Sequence, residues 1–220
     1  MKEVTRVLGQ SMSRNSLLLG AFALFTTLLI AGTYLQTKDR IAIEQRKAEE
    51  KALLQIVPLS RHNNSMLDET ILVDQSIPEL GLRSQKNIYI ARQDGVPVAA
   101  IIPVTARDGY SGDVNLIVGV NLDGTIAGVR TLSHRETPGL GDKVDLKKSD
   151  WVLGFTGKSL DNPVLARWAV KKDKGEFDQF TGATITPRAV VAATLRALQY
   201  TQSNRSLLFA DQSAQKELEK

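Results

Sequence analysis

The chain has 220 residues, 5% aromatic and 24% charged, with a formal net charge of +4. That length suits one domain of ordinary size plus accessories, and the mild, dispersed positive excess excludes a nucleic-acid-binding stripe. The absence of cysteine excludes disulfides, thiolate-held metals or clusters, a lipoprotein anchor and a catalytic thiol; two histidines, His62 and His134, are too few for a histidine-rich zinc site.

A short N-terminal tail, 1–15, leads into an apolar stretch at 16–36. Nineteen residues from Leu17 to Leu35 carry no charge. As a helix they reach about 28 Å, close to the thickness of a hydrocarbon core. A cleaved signal peptide has a shorter apolar region and an A-x-A site, and neither is present, so the stretch predicts an uncleaved transmembrane helix in a lipid bilayer. Lys2, Arg6 and Arg14 precede it, and Lys38, Arg40, Arg46, Lys47 and Lys51 follow it. Counted by basic residues alone, this bias does not favour export of the C-terminal part.

Residues 37–58 are rich in Ala, Glu, Lys, Gln and Leu and stop at Pro58, which predicts a helical stalk. Ile41, Ala48, Ala52, Leu53 and Ile56 form one weak apolar face. A solvated linker helix without a partner fits the same pattern. From Ile71 the periodicity becomes that of strands. Asp94-Gly95 and Asp123-Gly124 each lie between apolar runs and predict β-hairpins. A further strand is expected from about Val164 to Val170, with a turn at Gly175. A helix is expected to begin at Pro187, with Thr186 as its N-cap, and Val190, Val191, Leu195 and Leu198 lie at helical spacing along it. Residues 206–220 read as a polar tail. The soluble part, 59–205, is thus α+β, with a mostly antiparallel sheet packed by helices.

Three places could carry chemistry. The stretch Asp178-Gln179-Phe180-Thr181-Gly182-Ala183-Thr184 runs into the helix start at Thr186-Pro187. Small residues before a helix start leave room for an anion at the positive end of the dipole, and Thr184 would place a hydroxyl beside it. A capped helix start with no ligand explains Thr186-Pro187 equally well. The second place is "SHRETPGLGDK", Ser133 to Lys143, where Gly139 and Gly141 flank Leu140. This is either a shaped loop that approaches a flat ligand or a plain turn. Third, Trp151 and Trp168 fit a core better than a cofactor stack. No dinucleotide fingerprint or P-loop is present, and no residue set marks a catalytic base.

The residues from Asp178 to Thr184 resemble the flavinylation motif D-x-x-[ST]-G-A-T of FMN-binding domains, and Glu136 to Gly141, "ETPGLG", resembles that domain's second signature. With one span, a stalk and no cysteine, the chain resembles the G-subunit family of Rnf-type electron-transport complexes. The C subunit of sodium-pumping NADH:quinone reductases shares both motifs on a usually longer chain. The resemblance implies a covalent FMN, joined by phosphoester to Thr184 by a flavin transferase. It implies a cofactor site including Thr181, Gly182, Ala183, Ile185, Thr186 and Asp178, with Glu136, Thr137, Gly139 and Leu140 against the ring. It further implies an electron relay without catalytic turnover of its own. The relay would sit among the other subunits of a bacterial inner-membrane complex, coupled to ion transport between ferredoxin and NAD, with the C-terminal domain periplasmic. A membrane-tethered binding module without redox chemistry, or a free-standing flavin reductase, are the alternative readings.

Overall fold

The computed structural model describes residues 2–210. The chain divides into two compact units that meet between Ala48 and Glu49.

The first helix, α1, spans Lys2–Ile56 and straddles that division. Within the first unit it is long and apolar enough to cross a membrane by length and composition. Its large apolar side chains from Leu17 to Leu35, among them Phe22, Phe25 and Ile30, are exposed. Two threonine side chains in this stretch are satisfied locally. The hydroxyls of Thr26 and Thr33 donate back to the carbonyls of Phe22 and Leu29, at 2.9 and 2.7 Å, which is what an apolar surrounding demands.

In the second unit, five strands form one antiparallel sheet in sequential order: β1 (Thr70–Val73), β2 (Lys86–Gln93), β3 (Val96–Gly109), β4 (Gly112–Asn121) and β5 (Ile126–Ser133). Both expected hairpins form. At the β2–β3 turn Asp94 and Gly95 have φ of 52° and 82°, the pairing that matches strand twist. A third hairpin, between β3 and β4, has Tyr110 and Ser111 at its tip.

The sheet is covered on both faces. Ile88, Ile90, Ile102, Val104, Leu116, Val118 and Val120 face α2 (Ile185–Ser203), which contributes Val190, Val191, Ala197 and Leu198. The other face presents Tyr89, Ala91, Ala99, Ile101 and Ile117 to Leu53, Ile56 and Val57 at the end of α1. The end of the expected stalk therefore has a partner, and the solvated-linker reading does not hold for Leu53 and Ile56. Gly119 and Gly128 pair across β4 and β5 and make the notch that receives Ile56. A Cβ on Gly119 would stand 2.2 Å from Ile56 Cγ2, so only glycine admits this contact.

The strand expected at 164–170 is absent. Leu165–Arg167 is a single 3-10 turn, and Val170 makes only an isolated parallel bridge to Phe177. The reason lies in the side chains. Phe155 stacks on both Trp168 and Phe177, with the Phe155 and Phe177 centroids 4.6 Å apart, Trp168 meets Phe177 at a tilt, and this local cluster holds the segment as turns. The free edge of β5 is met instead by Gly157 and Lys158, which bond Ile126. After α2, α3 (Arg205–Leu208) buries Leu208; the rest of the expected tail, 211–220, lies outside the described residues.

Candidate functional site

The two sequence motifs converge on one cavity of about 240 Å³, lined by Glu136, Thr137, Leu140 and Gly141 from one loop and by Gly182 to Thr186 from the other. Tyr110, from the tip of the β3–β4 hairpin, completes the wall. Asp178, Thr181 and Gly139 do not line it.

Helix α2 begins two residues earlier than its sequence suggests. Thr184 occupies the N-cap position, Ile185 is the first helical residue, and Pro187 is the third. The physical cause is the fate of Thr186. Its hydroxyl does not cap the helix but donates to Glu136 Oε2 at 2.5 Å, with Thr186 fully buried. Thr184 has helical backbone angles, φ −84° and ψ −25°, and its side chain makes no capping hydrogen bond. Half-buried on the cavity wall, it keeps its hydroxyl uncommitted. Pro187 has no N–H, so the first turn offers the amides of Ile185 and Thr186 at the positive end of the helix dipole.

Glu136 is the centre of the arrangement. It is 5% exposed. Oε2 accepts from Thr186, and Oε1 accepts from the backbone N–H of Ser111 at 3.0 Å. One carboxylate thus ties the β3–β4 hairpin tip, the ETPGLG loop and the first turn of α2. Gly141 permits this: a Cβ there would stand 2.5 Å from Glu136 Oε2 and 3.0 Å from Thr186 Oγ1. His134 serves the loop itself, its Nδ1 accepting from the N–H of Glu136 at 3.1 Å.

The loop that carries Thr184 is held from outside the cavity. Trp151 Nε1–H donates to the carbonyl of Asp178 at 2.8 Å, and the Trp151 ring meets Phe180 edge-on at 5.1 Å. The Asp178 carboxylate is exposed and pairs with Lys171 at 2.6 Å. Arg188, in the first turn of α2, makes a two-pronged pair with Asp173, and that hydrogen bond holds the Asp173 carboxyl below the usual carboxylate range. Trp168 lies in the core and bonds the carbonyls of Ser159 and Pro163.

Sequence reasoning named eight of the cavity residues and missed Tyr110 and the lining role of Gly141. Gly141 was visible as the last glycine of its motif. Tyr110 carries no local signal, because only the register of β3 against β4 brings it to the site.

This sheet domain with its two-motif cavity defines the class. The family described as FMN-binding domain matches residues 109–199, and the family described as RnfG N-terminal region matches residues 1–56. A protein of Pseudomonas aeruginosa, named as the G subunit of an ion-translocating oxidoreductase complex, is 50% identical over 93% of this chain and 95% of its own length. One of the same name from Escherichia coli is 48% identical over 88% of this chain and 93% of its own. A solved structure, that of the C subunit of the Na(+)-translocating NADH-quinone reductase from Parabacteroides distasonis, is 21% identical, with a TM-score of 0.49, over 78% of this chain and 98% of that one. The chain belongs to the G-subunit family of ion-translocating oxidoreductase complexes.

Proposed function

We propose that this chain carries FMN on Thr184 through a phosphoester. In this reading it relays electrons as the G subunit of an ion-translocating complex in a bacterial inner membrane. The observation that carries the reading is the state of Thr184: a hydroxyl on the cavity wall, at the start of a 19-residue helix, that caps nothing. A threonine serving only as a helix start would spend that hydroxyl on its own backbone.

The donor set fits the group. The amides of Ile185 and Thr186 suit a phosphate. Leu140, Ala183 and Ile185 offer apolar wall to a flat ring, and Thr137 adds a polar side chain. Glu136 holds the loops in place, with both carboxylate oxygens engaged. Asp178, Thr181 and Gly139 shape the loops around the cavity. Bound FMN supplies reversible one- and two-electron transfer. The chain itself contributes attachment, orientation and the environment of the ring.

Attachment is the work of a flavin transferase. The Thr184 oxygen forms a bond to the FMN phosphorus of FAD, the pyrophosphate bond breaks, and AMP leaves with the hydroxyl proton. The relay runs between ferredoxin and NAD and is coupled to ion transport, with the C-terminal domain on the periplasmic side. Family membership supports this placement, and it outweighs the basic-residue bias around the span, which acts on orientation without deciding it alone.

The test is intact mass, with flavin fluorescence of the denatured band, after co-expression with a flavin transferase. The wild type gains the mass of FMN less water, and Thr184→Val gains nothing. An unmodified wild type beside a modified control substrate refutes the proposal.

A further inference from the structure

Tyr110 is the only aromatic side chain on the cavity wall among the described residues, and it belongs to neither sequence motif. It is 70% exposed. An exposed aromatic ring on a free loop would need no explanation. This hairpin tip is not free. The N–H of Ser111, which follows Tyr110, donates to Glu136 Oε1 at 3.0 Å. Gly109, which precedes it, lies so close that a Cβ there would stand 2.9 Å from the same oxygen. The carboxylate on which both neighbours converge is buried and bonded in turn to Thr186. Tyr110 is thus held at the cavity by the residue that also positions the Thr184 loop. Its ring joins neither apolar cluster of the fold.

Leu140 and Ile185, the other large apolar residues of the wall, are also partly exposed, at 43% and 46%. Three such side chains around one opening leave apolar surface that a flat aromatic ligand would cover. We propose that Tyr110 is a flavin-contacting residue, the aromatic wall of the ring seat completed by Leu140 and Ile185. This rests on the reading of Thr184 as the FMN carrier.

The assignment has a spectroscopic consequence. A phenol in contact with an excited flavin passes it an electron, which then returns, so both groups are restored and fluorescence is lost. The test uses the full chain in detergent, loaded by a flavin transferase, as wild type, Tyr110→Leu, Tyr110→Phe and Tyr110→Trp. Intact mass is read first. Flavin fluorescence is then compared, folded against urea-denatured, at equal covalent flavin. In the folded state Tyr110→Leu is expected to be several-fold brighter than wild type. Tyr110→Phe, which cannot donate an electron as readily, is also brighter, and Tyr110→Trp is as dark as wild type or darker. A folded Tyr110→Leu that fails to load, while Tyr110→Phe loads, also assigns Tyr110 to the seat. Equal folded-state fluorescence of loaded wild type and Tyr110→Leu overturns the assignment and leaves the Thr184 proposal intact. A wild type without added mass overturns the Thr184 proposal itself.

Discussion

The bond between Thr186 and Glu136 joins residues fifty positions apart and holds the two motifs together, so its removal is the sharpest test of the site's architecture. Thr186→Val keeps the shape and deletes the donor. A hydrogen bond to a charged acceptor contributes about 1.5–3 kcal/mol net, and the valine methyl recovers about 0.8 kcal/mol of transfer energy in this fully buried position. The expected loss is about 1–2 kcal/mol. Glu136→Ala removes both bonds and orphans the buried Thr186 hydroxyl, at a cost of about 1–3 kcal/mol, while the N–H of the exposed Ser111 turns to water. In the double variant the orphaned hydroxyl is gone. The double variant should therefore lose less than the sum of the singles, by about 1.5–3 kcal/mol. Urea unfolding of the full chain in detergent, followed by the fluorescence of Trp151 and Trp168, measures all four corners. Additivity within about 0.5 kcal/mol would refute the bond as a structural tie.

Two further outcomes follow from the opposite face of the sheet. Gly119→Ala drives a methyl into Ile56 and should destabilise the domain by about 1–3 kcal/mol. Adding Ile56→Ala should then cost less than it does in the wild type, and equal costs in thermal melts would show that the notch does not hold α1. Burial, and next the bond to Glu49, raise the Tyr89 phenol well above its ordinary value. A group whose folded pKa is raised contributes stability that is complete below its unfolded value, about 10, and falls as pH climbs above it. Melting temperature should therefore drop above about pH 10, and Tyr89→Phe should flatten that drop; an unchanged slope would contradict the placement of Tyr89 under α1.

Elements whose cause is short-range were legible in advance. The span needs only an uninterrupted apolar length, and the Asp94-Gly95 turn needs only residues that accept positive φ. The segment from Val164 to Val170 misled, because a short apolar run is the same signal whether its side chains feed a sheet or an aromatic cluster. The start of α2 also misled: Thr186-Pro187 reads as a cap by local rules, yet the Thr186 hydroxyl is taken by a carboxylate from another loop. At the stalk, Ile41 and Ile56 look alike in sequence. Ile41 is exposed and Ile56 is buried against a pair of glycines that no local pattern reveals.

By itself, then, the sequence determined the class of each part: an apolar span, an α+β domain, and two motifs rich in small residues and hydroxyls. These are properties of chemistry within a few neighbours along the chain. Only the tertiary structure decided that the motifs share one cavity, that Glu136 binds Thr186 and leaves the Thr184 hydroxyl uncommitted, and that Tyr110 stands at the opening. Those choices depend on strand register and on which buried polar groups find partners, and burial makes a group select its partner in space rather than along the chain.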